Sequence, residues 1–386
     1  MVVSCEQAVA APLATRHLAD LGARVIKIER PGTGDFARQY DETVHGLSSH
    51  FVWLNRSKES VALDLKSPES KILMQQLIDR ADVFVQNFAP GAAARLGLGG
   101  EELRASRPGL ITCSISGYGP TGPYASAKAY DLLIQSEAGL LSVTGTEGEP
   151  AKAGIPVADI AAGMYSFSSI LASLFAKERT GEGSQIEISM FDSLVEWMAY
   201  PLLYTKYGKI PPARTGTSHA AIAPYGIIES GDGTEFVVAV QNEREWRRFC
   251  EAVLSRPTLR TDPRFLSVSQ RSDNRVELNH ELVAALAAVD GAELQRRLSA
   301  GGIAHARRRS VPEVLEHLQL APQNRWATIG SPVGPVEVLR PPGLAEDWEE
   351  QMTEIPELGQ HTESVCEWLG VSPPLHHSMS LSRRRN

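Results

Sequence analysis

Asp159 is the acidic residue whose setting most invites chemistry. It follows Pro156-Val157-Ala158 and opens an apolar run, Ile160-Ala161-Ala162-Gly163-Met164-Tyr165, with helical spacing. An aspartate at a helix start has two readings. It is an N-cap, accepting from free N–H groups of the first turn, or a carboxylate nucleophile tuned by the same helix-end amides. Asn87-Phe88-Ala89-Pro90-Gly91 directly follows a strand-like run, the place where open α/β sheets bind ligands. Its Pro and Gly also suit a plain strand-to-helix turn. Gly32-Thr33-Gly34-Asp35-Phe36-Ala37 fits a G-x-G-x-x-G/A dinucleotide fingerprint, which leaves an NAD-dependent oxidoreductase using the Gly32-x-Gly34 turn as an alternative. Against it, Pro31 sits in the turn and Asp35–Tyr40 reads as loop. His219 lies in a Gly/Ser/Thr-rich stretch and is a site residue or an ordinary loop histidine. There is no Gly-Lys-Ser/Thr phosphate loop and no Gly-x-Ser-x-Gly elbow.

These residues need a frame. Residues 23–30, Ala-Arg-Val-Ile-Lys-Ile-Glu-Arg, read as a buried strand ending in a base, after a helix over 5–20 closed by Gly22. Further strands are expected at 60–65, 82–86 and 110–115. Ser67-Pro68 opens a helix running to about Arg80, with Ser67 as N-cap and Pro68 at the first helical position. A long helix runs from Asp159 to about Lys177, stopped by Gly181. A strand at 185–189 and a helix from Met190 into Tyr204 follow. Apolar strands alternating with helices predict an α/β, Rossmann-like domain with a parallel sheet. After Pro211-Pro212 the texture changes to one clear strand, 235–240, and three helical stretches near 243–255, 272–288 and 291–300. A large domain over 1–205, a smaller α+β domain over 213–310 and a return segment over 311–386 ending in a loose tail from about 373 are the expected organisation.

Bulk properties narrow the classes. The chain has 386 residues, 42% hydrophobic and 22% charged, which is globular composition. A net charge of −8 argues against a nucleic-acid partner. Arg307-Arg308-Arg309 and Arg383-Arg384-Arg385 read as solvated edges. Cys5, Cys113, Cys250 and Cys366 are widely spaced, read as reduced thiols, and suggest neither a disulfide frame nor a metal site. No secretory leader or apolar run long enough to span a bilayer is evident, so a soluble cytoplasmic protein without a membrane partner is expected.

Several blocks, taken in order, resemble the class III (formyl-CoA transferase-like, CaiB/BaiF) CoA-transferases along almost the whole chain. They are Gln7-Ala8-Val9-Ala10-Ala11-Pro12, Val25-Ile26-Lys27-Ile28-Glu29-Arg30, Asn55-Arg56-Ser57-Lys58 with Val61-Ala62-Leu63-Asp64, Asn87–Gly91 with Arg95-Leu96-Gly97, Gly117-Tyr118-Gly119-Pro120 with Gly122-Pro123-Tyr124, and Ala129-Tyr130-Asp131 before the Asp159 block. The resemblance implies an interlocked homodimer, with acyl-CoA as substrate and no permanently bound cofactor. CoA contacts carry over to Val9, Arg30, Asn87, Phe88, Arg95, Lys128 and Tyr130. The chain begins almost at the family's first strand, which implies that some customary N-terminal residues are lacking.

Asp159 matches the catalytic aspartate of that family, which implies covalent transfer through an aspartyl-acyl anhydride and an aspartyl-CoA thioester. Thioester energy is conserved in such an exchange, so neither ATP nor a metal is implied. A sister branch, the α-methylacyl-CoA racemases, remains an alternative. Its basic histidine matches Tyr130 here, and its helper glutamate falls near Gln241-Asn242, so both ionisable groups are replaced. The run 130–139 and the segment 144–159 look like transferases of short dicarboxylyl groups such as succinyl, mesaconyl or itaconyl. Arg38, Arg214 and His219 are the candidates to hold a distal carboxylate.

Overall fold

The computed structural model describes residues 1–343 and 351–374. The Arg383-Arg384-Arg385 cluster and all but the first two residues of the expected tail lie outside the described residues. Contacts divide the chain into two units. One comprises Met1–Gly139, Ala153–Ala199 and the chain from Ala321 onward; the other comprises Leu140–Lys152 and Tyr200–Leu320. The first boundary therefore differs from the expected 1–205 domain. Leu140–Lys152, between the two blocks that carry the Asp159 resemblance, folds with the second unit. A bridge between Gly145 and Pro150 closes it into a turn.

The first unit is built on strands β1 (Val2–Cys5), β2 (Val25–Glu29), β3 (Lys58–Ala62), β4 (Val83–Gln86), β5 (Ile111–Ser116) and β6 (Gln185–Ser189). They form one parallel sheet in the order β3-β2-β1-β4-β5-β6. The order reverses between β1 and β4, so the loops after these strands part and leave a crevice at the carboxyl edge. The central strand β1 corrects the sequence reading, which placed residue 5 in a helix. All four of its residues are buried, and a strand covered on both faces has no alternation to reveal it. The helix after it, α1, is confined to Ala10–Asp20.

Helices cover both faces. Between β2 and β4 come α2 (Ser49–Leu54) and α3 (Pro68–Arg80). As expected, Ser67 caps α3 by accepting from Ser70 N and Pro68 opens it. Leu73, Leu77 and Ile78 of α3 join Val3, Ile26, Val61 and Phe84 in the main core. The chain continues through α4 (Ala92–Arg95), α5 (Gly100–Ser106), α6 (Asp131–Glu137), α7 (Val157–Thr180) and α8 (Met190–Trp197). On the other face α1 lies along α7, and α7 packs on β5 and β6. By length and composition alone α7 could cross a bilayer, contrary to the expectation from the sequence. Here it is a layer of the α/β fold and carries Lys177 and Arg179 in its last turn, closed by Gly181 with φ 74°.

The return segment completes this unit. Strands β10 (Trp326–Ile329) and β11 (Val336–Leu339) pair as an antiparallel hairpin. Residues just beyond it cover the free edge of β3: Ser60 N donates to His361 Nδ1 and Ala62 N to Thr362 Oγ1. The second unit holds the antiparallel sheet β7 (Tyr225–Glu229), β8 (Glu235–Ala239) and β9 (Ala304–Arg307). Only the middle strand was legible beforehand. Helices Glu243–Arg248, Arg275–Leu286 and Gly291–Ala300 match the three expected stretches. Arg307 and Arg308 pair with Glu313 and Glu235 at its edge.

Gly163 lets α1 and α7 approach. A Cβ there would lie 2.7 Å from the Ala10 carbonyl oxygen and 3.0 Å from Leu13 Cδ2. We expect Gly163→Ala to destabilise the protein by about 1–3 kcal/mol, because backbone cannot yield as a side-chain tip can. Urea unfolding checks this, and an unchanged midpoint would contradict the close packing.

Candidate active site

Asp159 sits in the first turn of α7, two residues after its first residue, and is not the N-cap. That position is Pro156, which has no side chain able to cap. The capping role falls to Asp131, at the start of α6. Its Oδ1 accepts from Ala158 N at 2.8 Å and from Asp159 N at 3.4 Å. Its Oδ2 accepts from the buried Gln135 at 2.6 Å, and Gln135 Oε1 accepts from Ala153 N. The run that resembled dicarboxylyl transferases thus builds the support under the Asp159 turn. Gly117 admits this support, since a Cβ there would stand 2.1 Å from that of Ala129.

With its capping work done by Asp131, the half-buried Asp159 carboxylate is open to other roles. Burial raises its pKa to about 7, the Asp131 charge adds to the rise, and a hydrogen bond from Ala10 N–H opposes it. Ala10 is the first residue of α1, so two helix N-termini meet at this carboxylate. Tyr40 is part of the same group. Partial burial pushes its phenol up to about 12, and Asp35, Asp159 and Tyr130 reinforce the rise. Its ring stands edge-on to His50 at 5.3 Å. Sequence reasoning missed both Tyr40 and His50, which lie in a loop and a short helix without a motif.

A buried charge network lies beneath. Lys27 of β2 and Lys58 of β3 have fully buried side chains. Lys27 Nζ meets Asp35 Oδ2 at 2.6 Å, and Lys58 Nζ meets Glu6 Oε1 at 2.7 Å. Asn55 Oδ1 accepts from both lysines, and Glu6 also accepts from Thr15. Burial opposes the Glu6 charge, but Lys58 and Lys27 outweigh it and hold its carboxyl below the usual range. Burial drives Lys58 down to about 8 against the pull of Glu6.

A cleft of about 140 Å³ opens at the carboxyl ends of β1 to β4. Its lining includes Gln7, Arg30, Asp64, Lys66, Phe88 and Leu96. Of the predicted CoA contacts it brings together Arg30 and Phe88, with Arg95 exposed beside Leu96. Lys66 is a second cation on this rim that sequence reading missed. Asn87 is engaged differently: its Nδ2 donates to Gln7 O at 2.8 Å and its Oδ1 accepts from Gln7 N at 2.9 Å. It therefore fastens the loop after β1. Val9 is buried just before α1. Lys128 and Tyr130 are exposed before α6. The loop from Glu6 to Ala10 links the two places, lining the cleft at one end and reaching Asp159 at the other.

Each of the three expected carboxylate anchors has partners of its own. Arg38 gives Nε and Nη2 to Glu29 at 2.9 and 2.8 Å and Nη1 to Pro356 O, so its fork is already filled. Arg214 belongs to the second unit and clasps Thr146 O and Glu147 O of the Leu140–Lys152 segment. His219 stacks on Tyr225 there and accepts from Ala221 N. The Gly32-x-Gly34 turn leads into a short 3₁₀ turn, Phe36–Gln39, and a Cβ at Gly34 would collide with Glu29 and Arg38. It offers no helix start for a dinucleotide pyrophosphate.

The raised pKa of Asp159 has a consequence for stability. Its folded value lies above the unfolded one, so the folded state binds the extra proton, and this contribution is lost as pH rises through about 7. We expect Asp159→Asn to raise the melting temperature at pH 8 by about 2 °C or more, and less at pH 5. Calorimetry at the two pH values checks this; a gain confined to pH 5 would contradict the sign.

The family model for CoA-transferase family III matches residues 1–362. The chain is 38% identical over 289 residues to an acetyl-CoA:oxalate CoA-transferase of Acetobacter aceti, covering 74% of each protein. It is 33% identical over 371 residues to a succinyl-CoA:glutarate CoA-transferase of Mus musculus, covering 94% of this chain and 84% of that one. Among solved structures, a CAIB/BAIF family protein from Brucella suis superposes with a TM-score of 0.85 at 31% identity, over 95% of this chain and 97% of that one. With a parallel-sheet crevice and, at the other end of the loop that lines it, a carboxylate held between two helix starts, this chain belongs to CoA-transferase family III and is a CoA-transferase.

Proposed function

We propose that the protein moves CoA between a short dicarboxylyl-CoA, such as succinyl-CoA, and a carboxylic acid, with Asp159 as the covalent relay. The observation that carries this reading is the Asp159 carboxylate, free of capping duty and met by the Ala10 N–H. The carboxylate attacks the thioester carbonyl, giving a mixed anhydride and CoA thiolate. The thiolate attacks the aspartyl carbonyl and releases the donor acid, leaving an aspartyl-CoA thioester. The acceptor carboxylate then displaces the thiolate to form a second anhydride. The thiolate attacks the acceptor's carbonyl, and Asp159 is restored. The Ala10 N–H, which meets this carboxyl, suits the oxyanion that would develop at the aspartyl carbonyl. Arg30 and Lys66 on the cleft rim suit the phosphates of CoA.

The names of the two relatives carry oxalate in one case and succinyl and glutarate in the other. With Arg38 engaged by Glu29, the Tyr40 phenol is the donor near Asp159 for a distal carboxylate, and His50 packs edge-on against its ring. The homodimer implied by the resemblance is part of the same reading. Leu171 and Phe175 on α7 and Trp197 on α8 leave apolar surface exposed for a second copy.

Asp159→Ala is expected to abolish transfer while CoA affinity stays within a few-fold; near wild-type turnover would remove the covalent reading. Asp131→Asn keeps an acceptor for Ala158 N but removes the like charge. Its kcat/KM should therefore reach the plateau at lower pH than the wild type, where ionisation of Asp159 near pH 7 sets the acid limb. An acid limb that stays put or rises would contradict the assigned repulsion. A hydrogen bond to a charged group, about 1.5–3 kcal/mol, favours succinyl-CoA over acetyl- or octanoyl-CoA by roughly tenfold or more. Equal kcat/KM for the three donors with one acceptor would leave the transferase assignment standing and remove the dicarboxylate preference.

A further inference from the structure

We propose that Asp35 is a positioning residue for Asp159: by accepting the Ala8 N–H it clamps the loop after β1 in a left-handed turn that aims the Ala10 N–H at the Asp159 carboxylate. The inference rests on the reading of Asp159 as nucleophile. Asp35 is among the residues that line the cleft; toward Asp159 it acts through three residues of backbone.

Ala8 has φ 62°, a conformation that an L-residue with a Cβ adopts only when its surroundings impose it. Two side chains from other loops impose it. Asp35 Oδ1 accepts from Ala8 N at 3.0 Å, and Asn87 Oδ1 accepts from the preceding Gln7 N at 2.9 Å. Asp35 is in turn immobilised. The same Oδ1 accepts from Ala37 N at 2.9 Å, its Oδ2 takes Lys27 at 2.6 Å, and its own N–H donates to Glu29 at 2.9 Å. It is 1% exposed. On the far side Gly163 fixes how closely Ala10 approaches α7. A left-handed residue two positions before Ala10 sets the direction in which α1 starts. Releasing Ala8 to its ordinary conformation would swing the Ala10 N–H away.

Asparagine at position 35 has one carboxamide oxygen where aspartate has two. Lys27 would take it, turning the NH₂ toward the Ala8 N–H and opening the clamp. The charges facing Asp159 are Asp131 from α6 and the Tyr40 phenol, with Tyr130 beside Tyr40. Those around Asp35 are Lys27, Lys58, Glu29, Glu6 and Tyr40. Loss of the Asp35 charge alone would ease ionisation of Asp159, whereas loss of the Ala10 hydrogen bond would hinder it. The sign of the shift therefore separates a charge effect from a geometric one.

The test measures pH profiles of kcat/KM, and kcat and KM separately, for wild type, Asp159→Ala, Asp35→Asn and Asp35→Asn with Ala8→Gly, with melting curves for each. Asp35→Asn should move the acid limb upward and lower kcat roughly ten- to hundredfold, with KM for acyl-CoA within about twofold. Ala8→Gly, which adopts a positive φ without steric cost, should restore much of both in the Asp35→Asn background. A buried support that mattered only for folding would show no such rescue. A folded Asp35→Asn protein with the wild-type profile, an acid limb moved downward, or a loss that Ala8→Gly does not repair would overturn the proposal. Should Asp35→Asn not fold, Ala8→Val in the wild-type background keeps the Lys27 pair and penalises the left-handed turn. It must then reproduce the upward shift, and a wild-type profile overturns the proposal. Turnover retained by Asp159→Ala would instead overturn the nucleophile reading, whatever Asp35→Asn does.

Discussion

Two lysines without any exposure, Lys27 and Lys58, set the terms for the edge of the sheet where the chemistry is placed. Taking a charge out of water costs several kcal/mol, and a low-dielectric interior tolerates it only where an opposite charge and hydrogen bonds stand in place. Both lysines belong to strands, so their positions are given by the sheet. Their partners, Glu6 and Asp35, belong to the segments that leave β1 and β2. Neutralising the lysines therefore fixes two loops that apolar packing alone would leave free. A well-packed apolar replacement of such ions can be as stable. What the ionic version specifies is the path of residues 6–10.

That path delivers the start of α1 to the start of α7. Opposing influences meet at Asp159: burial and Asp131 favour the neutral acid, while the Ala10 N–H and two helix dipoles favour the anion. A carboxylate balanced in this way is more basic than a surface aspartate, hence a better nucleophile, and is still available in quantity near neutral pH. Asp131 serves both sides of this balance. Its oxygen caps α7, which spares Asp159 that duty, and its charge repels the anion it has freed.

The frame was legible in the sequence because amphipathic helices and their stop signals are local. Ser67-Pro68 at the start of α3, Gly181 after α7 and the strand at 185–189 were all read where they lie. The fully buried β1 was missed for want of alternation, and β7 and β9 because half-exposed four- and five-residue strands carry little signal. Asp159 was found by its helix start and its resemblance, yet the residue that caps the helix, Asp131, lies 28 positions earlier. The network is a tertiary property. Residues 23–30 were read as a buried strand, but which groups neutralise Lys27 and Glu29 inside it depends on loops distant in sequence. For the same reason Arg38 looked available, although Glu29 holds it.

The most direct measurement is mass spectrometry of the protein quenched after mixing with succinyl-CoA in the absence of acceptor. A CoA adduct, or an acyl adduct in its place, should form on the peptide that carries Asp159 and vanish when an acceptor acid is added. Turnover with no adduct at any residue, or an adduct on a different side chain, would contradict the covalent role of Asp159.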